Sequence, residues 1–108
     1  MIYELRVYHC NPGKLQPLAK RFETVTTHLF KKHGFRQVGY WTVTIGESNH
    51  DFIYMLAWES HAERDRCFAA FQSDPEWISA RAKSEEGGPL VGSITNSILA
   101  PTSFSELK

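Results

Sequence analysis

The sequence predicts an α+β fold of ferredoxin-like type, a βαββαβ chain whose four-stranded antiparallel sheet carries its helices on one side. Three observations predict it. Ile2 to His9 alternate at period two, Leu15 to Leu29 repeat apolar residues at three- and four-residue spacing, and two β-rich runs, 39–46 and 51–59, flank a short polar connection through Ser48 and Asn49. A second helical pattern and a last β-rich run follow, giving the order strand, helix, hairpin, helix, strand. Two right-handed β-α-β halves in that order make the split unit named above.

The first strand places Tyr3, Leu5 and Val7 on one face and Glu4, Arg6 and Tyr8 on the other. Asn11-Pro12-Gly13 breaks it. Leu15, Leu18, Phe22, Val25 and Leu29 then form one apolar stripe along a helix of about five turns. Lys31, Lys32 and His33 suit the negative end of the helix dipole, and Gly34 suits the left-handed position after it. After the hairpin, Ser60-His61-Ala62-Glu63 matches a capping box that opens a second helix, with Cys67, Phe68 and Phe71 inward and Arg64, Asp65 and Arg66 outward. Asp74-Pro75-Glu76-Trp77 restarts the pattern with a capping aspartate and a proline at the first helical position, which predicts a short extra helix to about Lys83. Gly87-Gly88-Pro89 ends it, Leu90 to Leu99 reads as the last strand, and Pro101 stops pairing.

A chain of 108 residues, 42% hydrophobic and 13% aromatic, has enough apolar material for one core, and we read residues 1–108 as a single domain with a short C-terminal tail, 102–108. Twelve basic and twelve acidic residues give a formal net charge of +0, which points away from nucleic acid and anionic membranes and toward a small molecule or a protein partner. No apolar run approaches the roughly 20 residues of a membrane span, and no signal-peptide pattern precedes the strand at Ile2, so a cytoplasmic protein is expected. Cys10 and Cys67 form no CxxC pair and read as free thiols. The sheet face left without helices mixes aromatics with few charges. The same face of a second copy is the economical cover, which predicts a homodimer in which two sheets close into a dimeric α/β barrel.

Tyr3-Glu4-Leu5-Arg6-Val7-Tyr8, Pro12-Gly13-Lys14, Gly39-Tyr40-Trp41, Ile45-Gly46, Trp58, Glu63-Arg64, Asp74-Pro75-Glu76-Trp77 and Ile98-Leu99-Ala100-Pro101-Thr102 together, in this order and spacing, resemble a NIPSNAP-family protein over nearly the whole chain. The resemblance implies the dimeric α/β-barrel superfamily, whose members range from small monooxygenases and isomerases to proteins without known activity. It carries over no catalytic residues.

The five histidines, His9, His28, His33, His50 and His61, form no metal-ligand spacing, and the sequence predicts neither a metal site nor a cofactor. His28 lies near the edge of the first helix's stripe, where packing is the simple role and contact with a cavity the functional one. Glu4 and Arg6 share a strand face, and their pairing would either fix the dimer register or orient a ligand. Tyr40, Trp41, Tyr54 and Trp58 are core or interface aromatics whose polar tips would suit a pocket wall. The candidate pocket therefore combines Arg6, Tyr8, His28, Tyr40 and Trp41 between sheet and helix.

Three functions fit. The first is a homodimeric small-molecule binding protein or cofactorless enzyme. The second is a small monooxygenase, cofactorless or haem-dependent. Trp58-Glu59-Ser60 is similar to the start of a haem-degrading motif, but Phe68 stands where that motif has tryptophan and no Ala-His pair follows. The third is an RNA-recognition module with Phe52 and Tyr54 as stacking aromatics, against which stand the missing basic-Gly-aromatic run and the zero net charge.

Overall fold

In the computed structural model, which describes residues 1–108, the chain runs β1 (Ile2–Cys10), α1 (Leu15–Arg21), a π-helical turn (Phe22–Thr26), α2 (Thr27–Lys32), β2 (Arg36–Thr42), β3 (Asp51–Trp58), α3 (His61–Gln72), α4 (Pro75–Ser84) and β4 (Val91–Leu99). The four strands form one sheet in the order β2-β3-β1-β4. Every neighbouring pair is antiparallel. This is the ferredoxin-like architecture that the order of sequence patterns predicts.

The register decides what each face carries. Glu4 pairs with Leu56, Arg6 with Tyr54 and Tyr8 with Phe52 across β1 and β3. Tyr40 sits opposite Tyr54 on the outer side. These residues lie under the helices, where Leu18, Phe22, Leu29, Phe30, Phe35, Phe68 and Phe71 close over Phe52, Tyr54, Leu56 and Trp58 to form the core. Phe30 and Phe35 stack at 4.1 Å, and most other ring pairs meet edge-on or tilted, as aromatic quadrupoles prefer. Burial of Phe52 and Tyr54 beneath helices removes the exposed stacking platform that the RNA reading requires.

The opposite face presents Leu5, Val7, Ile53, Met55 and Trp41, none of them fully buried. Its main polar feature is a row in which His9 bonds Asp51 through Nδ1 and Thr95 Oγ1 through Nε2, both at 2.7 Å. Edge strand β4 is exposed along most of its length, with Leu99 on this face and Ile94 and Ile98 on the helix side, opposite Tyr8 and Glu4.

The first helix departs from one regular α-helix. Thr27 N–H reaches back five residues to the Phe22 carbonyl, and Thr26 Oγ1 donates to the Arg21 carbonyl at 3.4 Å. One extra residue in that turn sets everything downstream back by about 100°. The buried stripe accordingly runs Leu18, Phe22, Thr26, Phe30, with Leu29 alongside and Val25 half-buried. The same rotation carries His28 to solvent.

The hairpin also differs from expectation. β2 begins at Arg36, bulges between Gln37 and Gly39, and stops at Thr42, leaving 43–50 as an unpaired loop with Ile45 96% exposed. Continued beyond Val43, the register would pair the strand with His50 and Asn49, which turn instead of extending.

Both caps form. Ser60 Oγ accepts from Glu63 N–H at 3.1 Å, while the Glu63 carboxylate reaches past Ser60 to the Glu59 N–H at 2.7 Å. Asp74 accepts from Glu76 N–H at 2.9 Å with one oxygen and from Lys32 and His33 at 2.9 and 2.8 Å with the other. One carboxylate thus starts α4 and joins it to the end of α2. Those donors hold Asp74 well below the usual carboxylate range. Gly34, at φ +82°, takes the left-handed position after α2.

Candidate functional site

Glu4 is the only carboxylate fully buried in the core, and one of its partners, Arg6, reaches the floor of the site. Arg64, one turn into α3, grips it side-on, with Nε 2.9 Å from one oxygen and Nη2 2.8 Å from the other. Trp58 Nε1 donates at 2.9 Å and Arg6 Nη1 at 3.1 Å. Burial pushes the Glu4 carboxyl upward, but the hydrogen bonds from Arg64 and Trp58 and the Arg64 charge outweigh it and leave the group below its ordinary value. The outward placement expected for Arg64 is therefore corrected. Arg64, Phe68 and Phe71 stand at i, i+4 and i+7 on one face, and the guanidinium lies 4.8 Å over the Phe68 ring.

Arg6 extends this network into open space. Its Nε donates to the Tyr54 hydroxyl at 2.7 Å and its Nη2 to Tyr8 at 3.3 Å, while the two hydroxyls meet at 3.0 Å. Burial, then the proximity of Tyr8, holds the Tyr54 phenol well above its usual value, and burial does the same to Tyr40. Both stay protonated donors near neutrality. Burial lowers the Arg6 pKa, but its tyrosine and Glu4 neighbours outweigh that and raise it. The Glu4–Arg6 pair lies under the helices, away from the open sheet face, so it does not set the register of a dimer built on that face.

Above this floor lies a cleft of about 710 Å³ between the sheet, the π-helical turn, α3 and α4. Phe22, Phe30, Phe68, Phe71, Trp77 and Ile78 supply most of its apolar lining. Its charged lining is Arg6, Arg21, Arg81 and Glu85, three guanidiniums to one carboxylate. The volume falls in the ordinary range for small-molecule sites, and the mixture of aromatic wall with few polar groups is their usual makeup.

The structure brings together two of the five residues predicted for the pocket. Arg6 and Tyr8 line the cleft. Tyr40 shares their sheet face but stacks on Tyr54 at 5.4 Å and packs on Phe22 at 5.6 Å, behind the wall. His28 is exposed, for the helical reason given above. Trp41 pairs with Ile53, lies across Gly39 on the opposite sheet face and is 48% exposed. Period-two alternation requires Tyr40 and Trp41 to part in this way. Arg21, Trp77 and Arg81 were not anticipated. For Arg21 the signal is a basic residue three positions after Leu18, inside the apolar stripe.

The match to known proteins is broad. The family model for NIPSNAP covers residues 3–106. The human protein NipSnap homolog 3A is 30% identical over 77 residues, which is 71% of this chain and 30% of that protein, so the chain spans about a third of that relative's length. A NIPSNAP family protein of unknown function from Agrobacterium tumefaciens is 30% identical with a TM-score of 0.87, covering 100% of this chain and 94% of that one. A structure from Nitrosomonas europaea named for antibiotic biosynthesis monooxygenases is 9% identical with a TM-score of 0.63 over 94% of this chain and 98% of that one, a likeness of fold alone. The residues of the sheet floor, the caps and the closing strand all lie within the matched span, and the chain belongs to the NIPSNAP family.

Proposed function

We propose that this NIPSNAP-family chain is a small-molecule binding protein, working as a homodimer, with one ligand held in the cleft of each subunit. The observation that carries the proposal is the cleft itself: an aromatic wall over a floor of the donors Arg6 and Tyr8, whose positions are fixed by Glu4 and Tyr54 beneath them. Such a floor orients a polar end without rearranging, because each donor is already held by a buried partner. The dimer is supported by the half-buried apolar residues of the open sheet face and by the exposure of β4, which a second copy would cover.

The test is a thermal-shift screen of small aromatic and aliphatic compounds, run on the wild type and on Ala82→Trp. Ala82 is exposed on α4 and lines the cleft, so the larger side chain fills the space while leaving the core alone. A ligand at a hundred times its Kd should add about 2.7 kcal/mol to the wild type. The variant should melt where the unliganded wild type does and gain nothing from the same compound. Equal stabilisation of both proteins would place the ligand elsewhere and end this reading.

A further inference from the structure

Among the charged cleft residues, Arg21 is the one that is both buried and short of partners. It is buried at 8% exposure, and its Nε has no hydrogen-bond partner at all. Nη1 donates to the neutral Ser84 hydroxyl at 3.1 Å. The nearest carboxylate oxygen, on Glu85, stands 3.8 Å from Nη1, beyond a hydrogen bond, and that side chain also faces Arg81. The guanidinium lies 5.1 Å over the Trp77 ring. Burial lowers its pKa, and the attraction of Glu85 does not make up the difference. A buried guanidinium with an unfilled donor is costly unless something else completes it.

The rest of the site shows what completes such a group. Arg64 offers its Nε and Nη2 edge to the two oxygens of Glu4, and Arg6 is engaged by Glu4, Tyr8 and Tyr54. Arg21 has no bonded partner on that same edge. Its position is also special, since it precedes the π-helical turn whose Phe22 and Thr26 line the cleft. Turns of this kind recur at functional sites because they re-aim side chains without ending a helix.

We infer that the ligand of this cleft is an amphipathic monocarboxylate whose head group pairs with Arg21 and whose apolar body lies along Phe22, Phe30, Phe71 and Trp77. The inference rests on the binding reading above and goes further in naming the chemical class and the residue that reads it. A carboxylate matches the planar fork and the excess of guanidiniums in the lining, and the mainly aromatic wall suits a body without further charge.

Decanoate, decanamide and decanol are the probes, titrated by calorimetry against the wild type, Arg21→Gln and Arg21→Lys. The wild type should hold decanoate at least about tenfold more tightly than decanamide, the difference expected for a charge-assisted bond over a neutral one. Arg21→Gln should bring decanoate down to the level of decanamide while decanamide and decanol bind as before. Arg21→Lys should restore only part of the preference, because an ammonium lacks the fork. Melting curves of the free variants keep the comparison independent of folding. If the wild type binds acid, amide and alcohol alike, the cleft reading stands and the carboxylate assignment falls. A preference that survives Arg21→Gln overturns the role of Arg21. Failure of all three probes to bind the wild type overturns the assignment, while the cleft reading is decided by the Ala82→Trp comparison.

Discussion

Glu4 is buried without losing its charge because two guanidiniums and an indole surround it, and its surroundings make a residue-scale prediction. Glu4→Gln keeps the shape but leaves Arg64 and Arg6 facing a neutral amide in the core. Breaking a buried pair in this way costs about 3–5 kcal/mol, which urea unfolding at neutral pH would read directly. The same variant should show a flatter acid limb. The folded pKa of Glu4 lies below its unfolded value of about 4.3, so the ionised group contributes stability above that pH and the contribution is lost as pH falls through the folded pKa. Wild-type stability measured below about pH 4.3 should therefore fall more steeply than that of Glu4→Gln, with Asp74 supplying the slope the two share. Arg21 behaves in the opposite sense. Arg21→Met keeps an apolar stem against Trp77 and removes an under-bonded buried charge, so the melting temperature of the free protein should hold or rise. A fall in melting temperature would show that Ser84 and Glu85 already satisfy the guanidinium.

The π-helical turn is the element on which the cleft depends, and a deletion isolates it. Removing Thr24, which is exposed, would convert the turn to regular α-helix and keep Leu18, Phe22, Thr26 and Phe30 on one stripe, now at helical spacing. The fold should survive with stability equal or higher, read by circular dichroism and thermal melting. Binding in the cleft should drop at least about tenfold, because the bond from Thr26 Oγ1 to the Arg21 carbonyl and the widened turn that spaces Arg21 and Phe22 from Thr26 along the cleft would be lost. Loss of folding would mean instead that the turn sets the helix against the sheet. This turn is not legible in the sequence. The spacing of Leu15, Leu18, Phe22, Val25 and Leu29 describes a regular helix equally well, since no residue type announces one added backbone bond of i→i+5 type. The caps at Ser60 and Asp74 were readable because each rests on a local side-chain bond, and Ser60→Ala should cost about 1 kcal/mol. Strand alternation was likewise enough to place Arg6 and Tyr8 together. The same alternation sends Trp41 to the face opposite Tyr40, and the i, i+4 relation of Arg64 to Phe68 turns Arg64 inward despite its charge.

At the scale of the whole molecule the two faces of the sheet differ, one covered by the helices and the cleft between them, the other open. Leu5, Val7, Ile53, Met55 and Trp41 form a surface with few charges that Leu99 extends on the last strand, and the tail separately exposes Phe104 and Leu107, Phe104 at 85%. A protein of zero formal net charge with such a surface has little repulsion to keep copies apart. The proposed dimer should therefore scatter light with twice the 12.4 kDa mass of one chain at micromolar concentration. Val7 sits between Ile53 and Thr95 near the middle of the open face, and its side chain takes no part in the core under the helices. Val7→Glu would place like charges against each other across an isologous two-fold interface, at a position where each copy meets the same patch of the other. That variant should be a monomer whose circular dichroism and cleft affinity match the wild type. Truncation after Pro101 removes Phe104 and Leu107 without touching a strand, and should weaken the dimer while shifting the subunit's own unfolding little. A wild type that scatters as 12.4 kDa across a dilution series would remove the barrel from this picture and leave the open face to a different partner. A Val7→Glu protein that stays dimeric would move the interface to the exposed edge of β4.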